Sequence, residues 1–327
     1  MSLEPWWRLA IASVQAGAGV VWFTGGPGAV PAGVPPTGVP PTELDVAGAP
    51  MGGPLWCDAC TVAAAAPSFV DDAVLGVMSG LPFDRHPAVL ARDVTTLDVL
   101  SSGRAAVALR WEGTRERSSS SRDFSAVCAY LGEAIAVCRA VLQDEDPVFE
   151  GSYFRIAGAV NRPPPQRPDR LPLLVEAPKG IARRVDRDPG VSFLLRQAAR
   201  GATAIGCADD PREIAAWRAY LVNGVAGLVR SDGKDAPSPL ILCRAELGQD
   251  AAWSGRGTIC SSAASAFAAG ADGILVRLAA ELTAELAAEL PTDPVGGHRR
   301  GARRGPRTEV AARVAEQLSA CFGPWLR

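Results

Sequence analysis

Few side chains in this 327-residue chain are equipped for chemistry, and their spacing limits what that chemistry is. There are two histidines, His86 and His298, and no Ser/His/Asp relay can be assembled from them. Eight cysteines are scattered along the chain, and only Cys57 and Cys60 have CxxC spacing. A zinc site needs a second ligand pair, and a redox dithiol wants a strand before it, where Gly52, Gly53 and Pro54 stand instead. Buried thiols are therefore the expected state, and no metal is expected. What remains is Glu112 as a candidate acid–base carboxylate, and Arg110 and Lys179 (beside Gly180) as cations for a phosphate or carboxylate. Arg299, Arg300, Arg303, Arg304 and Arg307 follow His298; they read as a surface linker, with an anionic partner as the alternative.

The elements that must position these groups are set by residues 85–104. Pro87 suits a first helical position, where its missing N–H costs nothing. Leu90, Val94, Leu97 and Leu100 recur at near-helical spacing, and Gly103 is fit for a left-handed stop. Residues 105–111 (AAVALRW) then form an apolar run, as a strand buried on both faces would. Further strands are expected over 19–23, 73–78, 171–175, 202–207, 239–243 and 271–276. Helices are expected over 6–16, 56–66, 124–142, from Pro211, near 260–269, and over 279–290 and 308–322. A short extended excursion occupies 147–157, and 161–170 reads as a Pro/Arg linker. Strand–helix alternation without hairpins predicts a parallel sheet, and about seven strands suit a TIM-type (β/α)8 barrel. Residues 25–54 are rich in Gly and Pro and nearly free of charge, so they are expected to be a loop, as are the polar residues 112–123.

Composition excludes several classes. A net charge of -2 gives no electrostatic footprint for nucleic acid, and basic–aromatic interleaving is lacking. No run reaches the 18 or so apolar residues of a membrane helix. The first residues, MSLEPWWRLAIASVQAG, lack a basic region and long apolar core, so a cytoplasmic protein is expected.

Two blocks carry a resemblance. RHPAVLARDVTTLDVLSSGR (85–104) and YLGEAIAVCRAVLQDEDPVFEGSYFRIAGAVNRPPPQRPDRLPLLV (130–175) are similar, in order and spacing, to segments of the luciferase-like monooxygenase superfamily. The resemblance implies a barrel over residues 1–290, followed by a basic linker (291–307) and a C-terminal helix (308–327). The family fold opens with one more strand before the first helix; here five residues precede Trp6, so either the sequence starts late or the first strand is absent. It also implies a reduced flavin (FMN) or a deazaflavin coenzyme acting on a small organic substrate at the carboxyl ends of the strands.

Site residues follow from the resemblance position by position. Trp22 keeps the aromatic of the second family strand, but Gly25 and Gly26 stand where relatives place an Asp-His pair, which removes that acid–base role. Ser79 and Gly80 fall where deazaflavin-binding relatives carry a bulge behind the ring. Arg110 and Trp111 end the next strand, with Leu109 and Arg110 adding bulk where relatives are small. Relatives place a glycine-rich phosphate turn where this chain has Glu176-Ala177-Pro178-Lys179-Gly180. Glu176 would repel a phosphate and Pro178 removes a donor, while Lys179 and Gly180 compensate in part. The expectation is an oxidoreductase with a degraded site. The alternative is a catalytically inactive paralogue without coenzyme, serving as a ligand-binding or structural subunit in a homodimer or beside an active paralogue.

Overall fold

The computed structural model describes residues 10–11, 14, 18–24, 58–81, 85–111, 121–166, 171–176, 189–208, 211–230, 232–247 and 265–278. The 25–54 loop, Cys57, His298, the basic linker and both C-terminal helices expected above lie outside the described residues. Seven strands form one parallel sheet: β1 (Val20–Thr24), β2 (Val74–Leu81), β3 (Ala105–Trp111), β6 (Leu173–Glu176), β7 (Thr203–Ala208), β8 (Leu240–Leu247) and β9 (Gly273–Leu278), hydrogen-bonded in that order. The sheet is curled, a half-barrel consistent with a TIM-type barrel lacking a strand. Among the described residues β1 and β9 are its two edges. A separate antiparallel pair, β4 (Phe149–Glu150) with β5 (Arg155–Ile156), is the expected excursion.

Among the described residues the longer helices on the outside of the sheet are α1 (Ala59–Ala65), α2 (Pro87–Leu100), α3 (Ser121–Gln143), α4 (Pro189–Ala199) and α5 (Pro211–Trp217), the last running on through a π-turn at Arg218–Val222 into a single turn at Asn223–Val225. Helix α1 is shorter than expected because Asp58 caps it, accepting from Thr61 N at 2.7 Å, and Pro67 sits in a 3-10 turn at its end. Helix α2 starts as expected, with Pro87 first and His86 as cap; Nδ1 of His86 accepts from Ala88 N at 3.2 Å. Desolvation lowers the His86 pKa, which favours the neutral ring that this contact needs. Arg85 bonds both Asp58 and Asp93 and so ties the two helix starts together.

Two details of α2 differ from the sequence expectation. Leu100 is 52% exposed, whereas Ser101 is buried at the next position of the Leu90–Val94–Leu97 stripe. The apolar spacing had drifted off the buried face by the last turn. The left-handed stop takes two residues, Ser102 (φ 58°) and Gly103 (φ 83°). Helix α3 begins at Ser121, so the last three residues of the expected polar loop are helical. Val127, Leu131, Ile135, Cys138 and Leu142 line its buried side as the period predicts. By length and mean hydropathy its Ser125–Gln143 stretch would pass for a membrane helix, as the core helix of a globular fold can. Its apolar side is instead buried in the core shared with the sheet and α2.

Alternation along the strands divides the core. The outer face, under the helices, carries Leu75, Val77, Val107, Leu109, Leu173, Val175 and Ile241. The inner face carries Met78, Ala106, Ala108, Leu174 and Ile205, with Trp22, Val74, Leu240 and Leu242 against them. Cys60, Cys128, Cys138 and Cys243 are buried thiols, as composition suggested, and burial pushes the Cys138 thiol up to about 12.

The Pro-rich 161–166 stretch is fastened rather than loose. Asn161 Nδ2 donates to Thr95 Oγ1 and Val141 O, both at 2.9 Å, and Gln166 N donates to Asp98 at 2.7 Å. Asp98 is 2% exposed and also accepts from Ala105 N at 3.4 Å, so one carboxylate joins α2, the start of β3 and this strap. Asp98→Ala should lower the free energy of unfolding by about 2 kcal/mol in urea melts, because backbone donors lose a charged partner where water does not reach. A loss under about 0.5 kcal/mol, the scale of an ordinary surface change, would contradict this role.

Candidate functional site

The carboxyl ends of the parallel strands all open on one side, and the inner-face residues nearest those ends are the ones available to a ligand. Register places them in layers. Trp22 is level with Gly76, and Gly76 with Ala106. Thr24, Met78, Ala108 and Leu174 form the next layer, and above them Gly80 is level with Arg110. One step past the pair Leu109 and Val175, Arg110 comes alongside Glu176, which is itself level with Ile205.

The lowest layer is fixed by one contact. A Cβ added to Gly76 would fall inside the Trp22 indole, 2.7 Å from Cδ2 and nearer still to Cε3 and Cζ3. Only a residue without a side chain lets the ring lie across the strand there. Trp22 then packs on the inner cluster with Ala106 and Ala108. Above Val74, the inner face of β2 and β3 thus carries Gly76, Gly80, Ala106 and Ala108, with Met78 between the glycines, Arg110 at the rim and the indole as a floor.

Of the residues singled out from sequence, Trp22, Gly80 and Arg110 share this face. Ser79 does not: it pairs with Leu109 of the outer cluster, so it takes the helix side. The β2–β3 ladder runs unbroken through Ser79 and Gly80, and the one cis peptide among the described residues is Arg162–Pro163. No bulge therefore stands behind a ring at this point. Glu112, Lys179, Gly180 and the side chain of Trp111 lie outside the described residues.

Glu176 belongs to the mouth in a way the sequence did not reveal. It is the last residue of β6, on the inner face, and 8% exposed. A carboxylate so desolvated needs a cation or donors nearby, and Arg110 is the cross-strand neighbour of opposite charge. Reasoning from sequence also missed Gly76, Ala106 and Ala108. The signal for Gly76 was present, since a glycine inside an apolar strand marks close approach.

Gly76→Ala should cost about 1–3 kcal/mol in the native chain, because the added methyl must displace the indole. In a Trp22→Ala background the same change should cost less, by more than the roughly 0.5 kcal/mol within which independent sites add. Equal costs in the two backgrounds, measured by urea melts of all four proteins, would show that Trp22 does not lie on Gly76.

Comparison with known proteins bears on the fold and family. No curated protein matches the chain in sequence. The monooxygenase RslO1 from Streptomyces bottropensis is similar over 83% of this chain and 83% of its own, at 18% identity and TM-score 0.53. The coenzyme F420-dependent tetrahydromethanopterin reductase from Methanopyrus kandleri is similar over 97% of this chain and 95% of its own, at 12% identity and TM-score 0.55. An F420-dependent secondary alcohol dehydrogenase, solved with an F420–acetone adduct, is similar over 81% and 73%, at 16% identity and TM-score 0.50. At such identities the likeness is one of fold. The sequence match is more specific: the model of the luciferase-like monooxygenases covers residues 46–221, more than half of the chain. The protein belongs to the luciferase-like monooxygenase family.

Proposed function

We propose that the protein is a luciferase-like oxidoreductase whose coenzyme site, at the carboxyl ends of the strands, holds the ring of a reduced flavin or deazaflavin better than its phosphate. The observation that carries this reading is the run of Gly76, Gly80, Ala106 and Ala108 on the inner face, floored by Trp22. Small residues there leave room for a flat ring, and an indole offers it an apolar surface. Bound in that place, the coenzyme would supply the hydride or oxygen chemistry.

The protein's own residues would orient the ring and keep water from it. Arg110 is the cation at the rim and the candidate partner for an anionic group of the coenzyme or substrate. Glu176 opposes it: a buried carboxylate at the strand end repels phosphate and competes for Arg110. In the sequence, Gly25 and Gly26 replace the family's acid and histidine, so a proton donor must come from elsewhere, with Glu112 the candidate.

A second reading, a binding or structural subunit without catalysis, is favoured by the same Glu176 and by the bulk of Arg110 at the mouth. Titration of the purified protein with FMN and with the deazaflavin coenzyme separates the two. The first reading expects saturable binding between micromolar and millimolar. Arg110→Ala should weaken it about tenfold or more, and Glu176→Gln should strengthen it, each being a contact of a charged group. No binding of either coenzyme up to millimolar concentration would favour the silent subunit. Submicromolar binding indifferent to both substitutions would mean that the site lies elsewhere.

A further inference from the structure

A cleft of about 220 Å3 opens on the outside of the molecule between the final turns of α3 and α4. Asp144 follows α3, and Arg200 joins α4 to Gly201 and β7, so the cleft lies at the amino ends of the strands. It is therefore remote from the proposed coenzyme site and does not depend on that reading. Arg139 and Arg200 line it together with Gln197, Asp144 and the apolar Ile135 and Ala140.

Positive charge is concentrated here by a glycine. Gly201 has φ +90°, and a Cβ on it would lie 2.5 Å from Arg139 Nη2 and 2.7 Å from Arg230 Cζ. The absent side chain lets two guanidinium groups converge. Arg230 has a counter-ion, Asp232, at 2.7 Å. Among the described residues neither the Arg139 nor the Arg200 side chain has an ion-pair or hydrogen-bond partner. Burial, then Arg230 and Arg200, lower the pKa of Arg139, and Asp232 opposes them only in part. The cluster holds more like charge than its surroundings neutralise.

A second feature belongs to the same lining. Gln197 is 3% exposed, and its Oε1 has no hydrogen-bond partner among the described residues. A buried acceptor left unmatched is unfavourable, and a donor from a ligand would resolve it. With Asp144 in the lining and Asp232 on Arg230, the three arginines leave positive charge unopposed, so the site asks for an anion with one donor on a group small enough for the cleft. A carboxylate offers one charge and no donor. Sulfate offers two charges and no donor. Hydrogen phosphate offers both, as does a phosphate monoester with a neighbouring hydroxyl.

We propose that this cleft binds a small phosphate-bearing solute, with phosphate oxygens on Arg139 and Arg200 and a ligand hydroxyl donating to Gln197 Oε1. Asp144, at the rim, narrows the choice further by opposing ligands of higher negative charge.

Calorimetric titration of the full chain at low ionic strength, where such contacts are least screened, tests this. The probes are inorganic phosphate, glycerol 3-phosphate and sulfate. Saturable binding of one or both phosphates is expected, with sulfate about tenfold weaker or worse for want of the donor. The tighter of the two phosphates identifies whether a free ion or an ester is the ligand. Arg200→Ala, at an exposed position outside any helix or strand, should leave the thermal midpoint unchanged without ligand and weaken phosphate about tenfold. Arg139→Ala should do the same. No saturable binding of either phosphate, sulfate binding as tight as phosphate, or affinity untouched by both arginine substitutions would overturn the proposal.

Discussion

A parallel sheet that curls must fill its concave side from its own inward-facing side chains, and here that constraint is met by the Trp22 indole lying on Gly76. The outer face follows a familiar rule: Leu75, Val77, Val107 and Leu109 are covered by helices and can all be large. The inner face has to close on itself and still leave space at one end. One large aromatic low in the sheet, above a glycine and between alanines, does both. It fills the low layer beside Gly76 and Ala106, with Met78 and Leu174 one layer up, and leaves only glycine and alanine at Gly80 and Ala108.

The charged residues at the mouth depend on this division. Because Ala106 and Ala108 fix the inward phase of β3, Arg110 faces inward two residues later. Because Leu174 is inward on β6, Glu176 is inward as well, and the register sets it beside Arg110. A carboxylate as buried as Glu176 is costly to leave without a cation or donors, which is why a neighbouring base matters there.

Much of the fold could be read from the chain because single residues punctuate it. Pro87 and Gly103 bound α2 closely, and the 3.6-residue period of α3 named its buried side correctly. The seven strands were recoverable because strands buried on both faces are unbroken apolar runs. The same property hid the site. With no polar alternation, nothing in VLGVMSGL or AAVALRW shows which residues face inward, so Ser79 was taken for a site residue although its phase is outward. Glu176 was read as part of a turn because one charged residue at the end of an apolar run looks like an exit from the sheet, whereas β6 includes it. The arginine cleft was illegible for another reason: Arg139, Gln197, Arg200 and Arg230 are brought together only by the packing of α3 on α4.

The claim that the inner face of β2 and β3 forms the ring surface is tested most directly by alanine-methyl NMR during titration with FMN. A flavin ring stacked at the mouth should shift the Ala108 and Ala106 methyls strongly through its ring current. The methyls of Ala63 and Ala134, buried on the helix side of the sheet, should stay in place. Saturating FMN that leaves Ala106 and Ala108 unmoved, or that shifts outer-face methyls instead, would contradict the account.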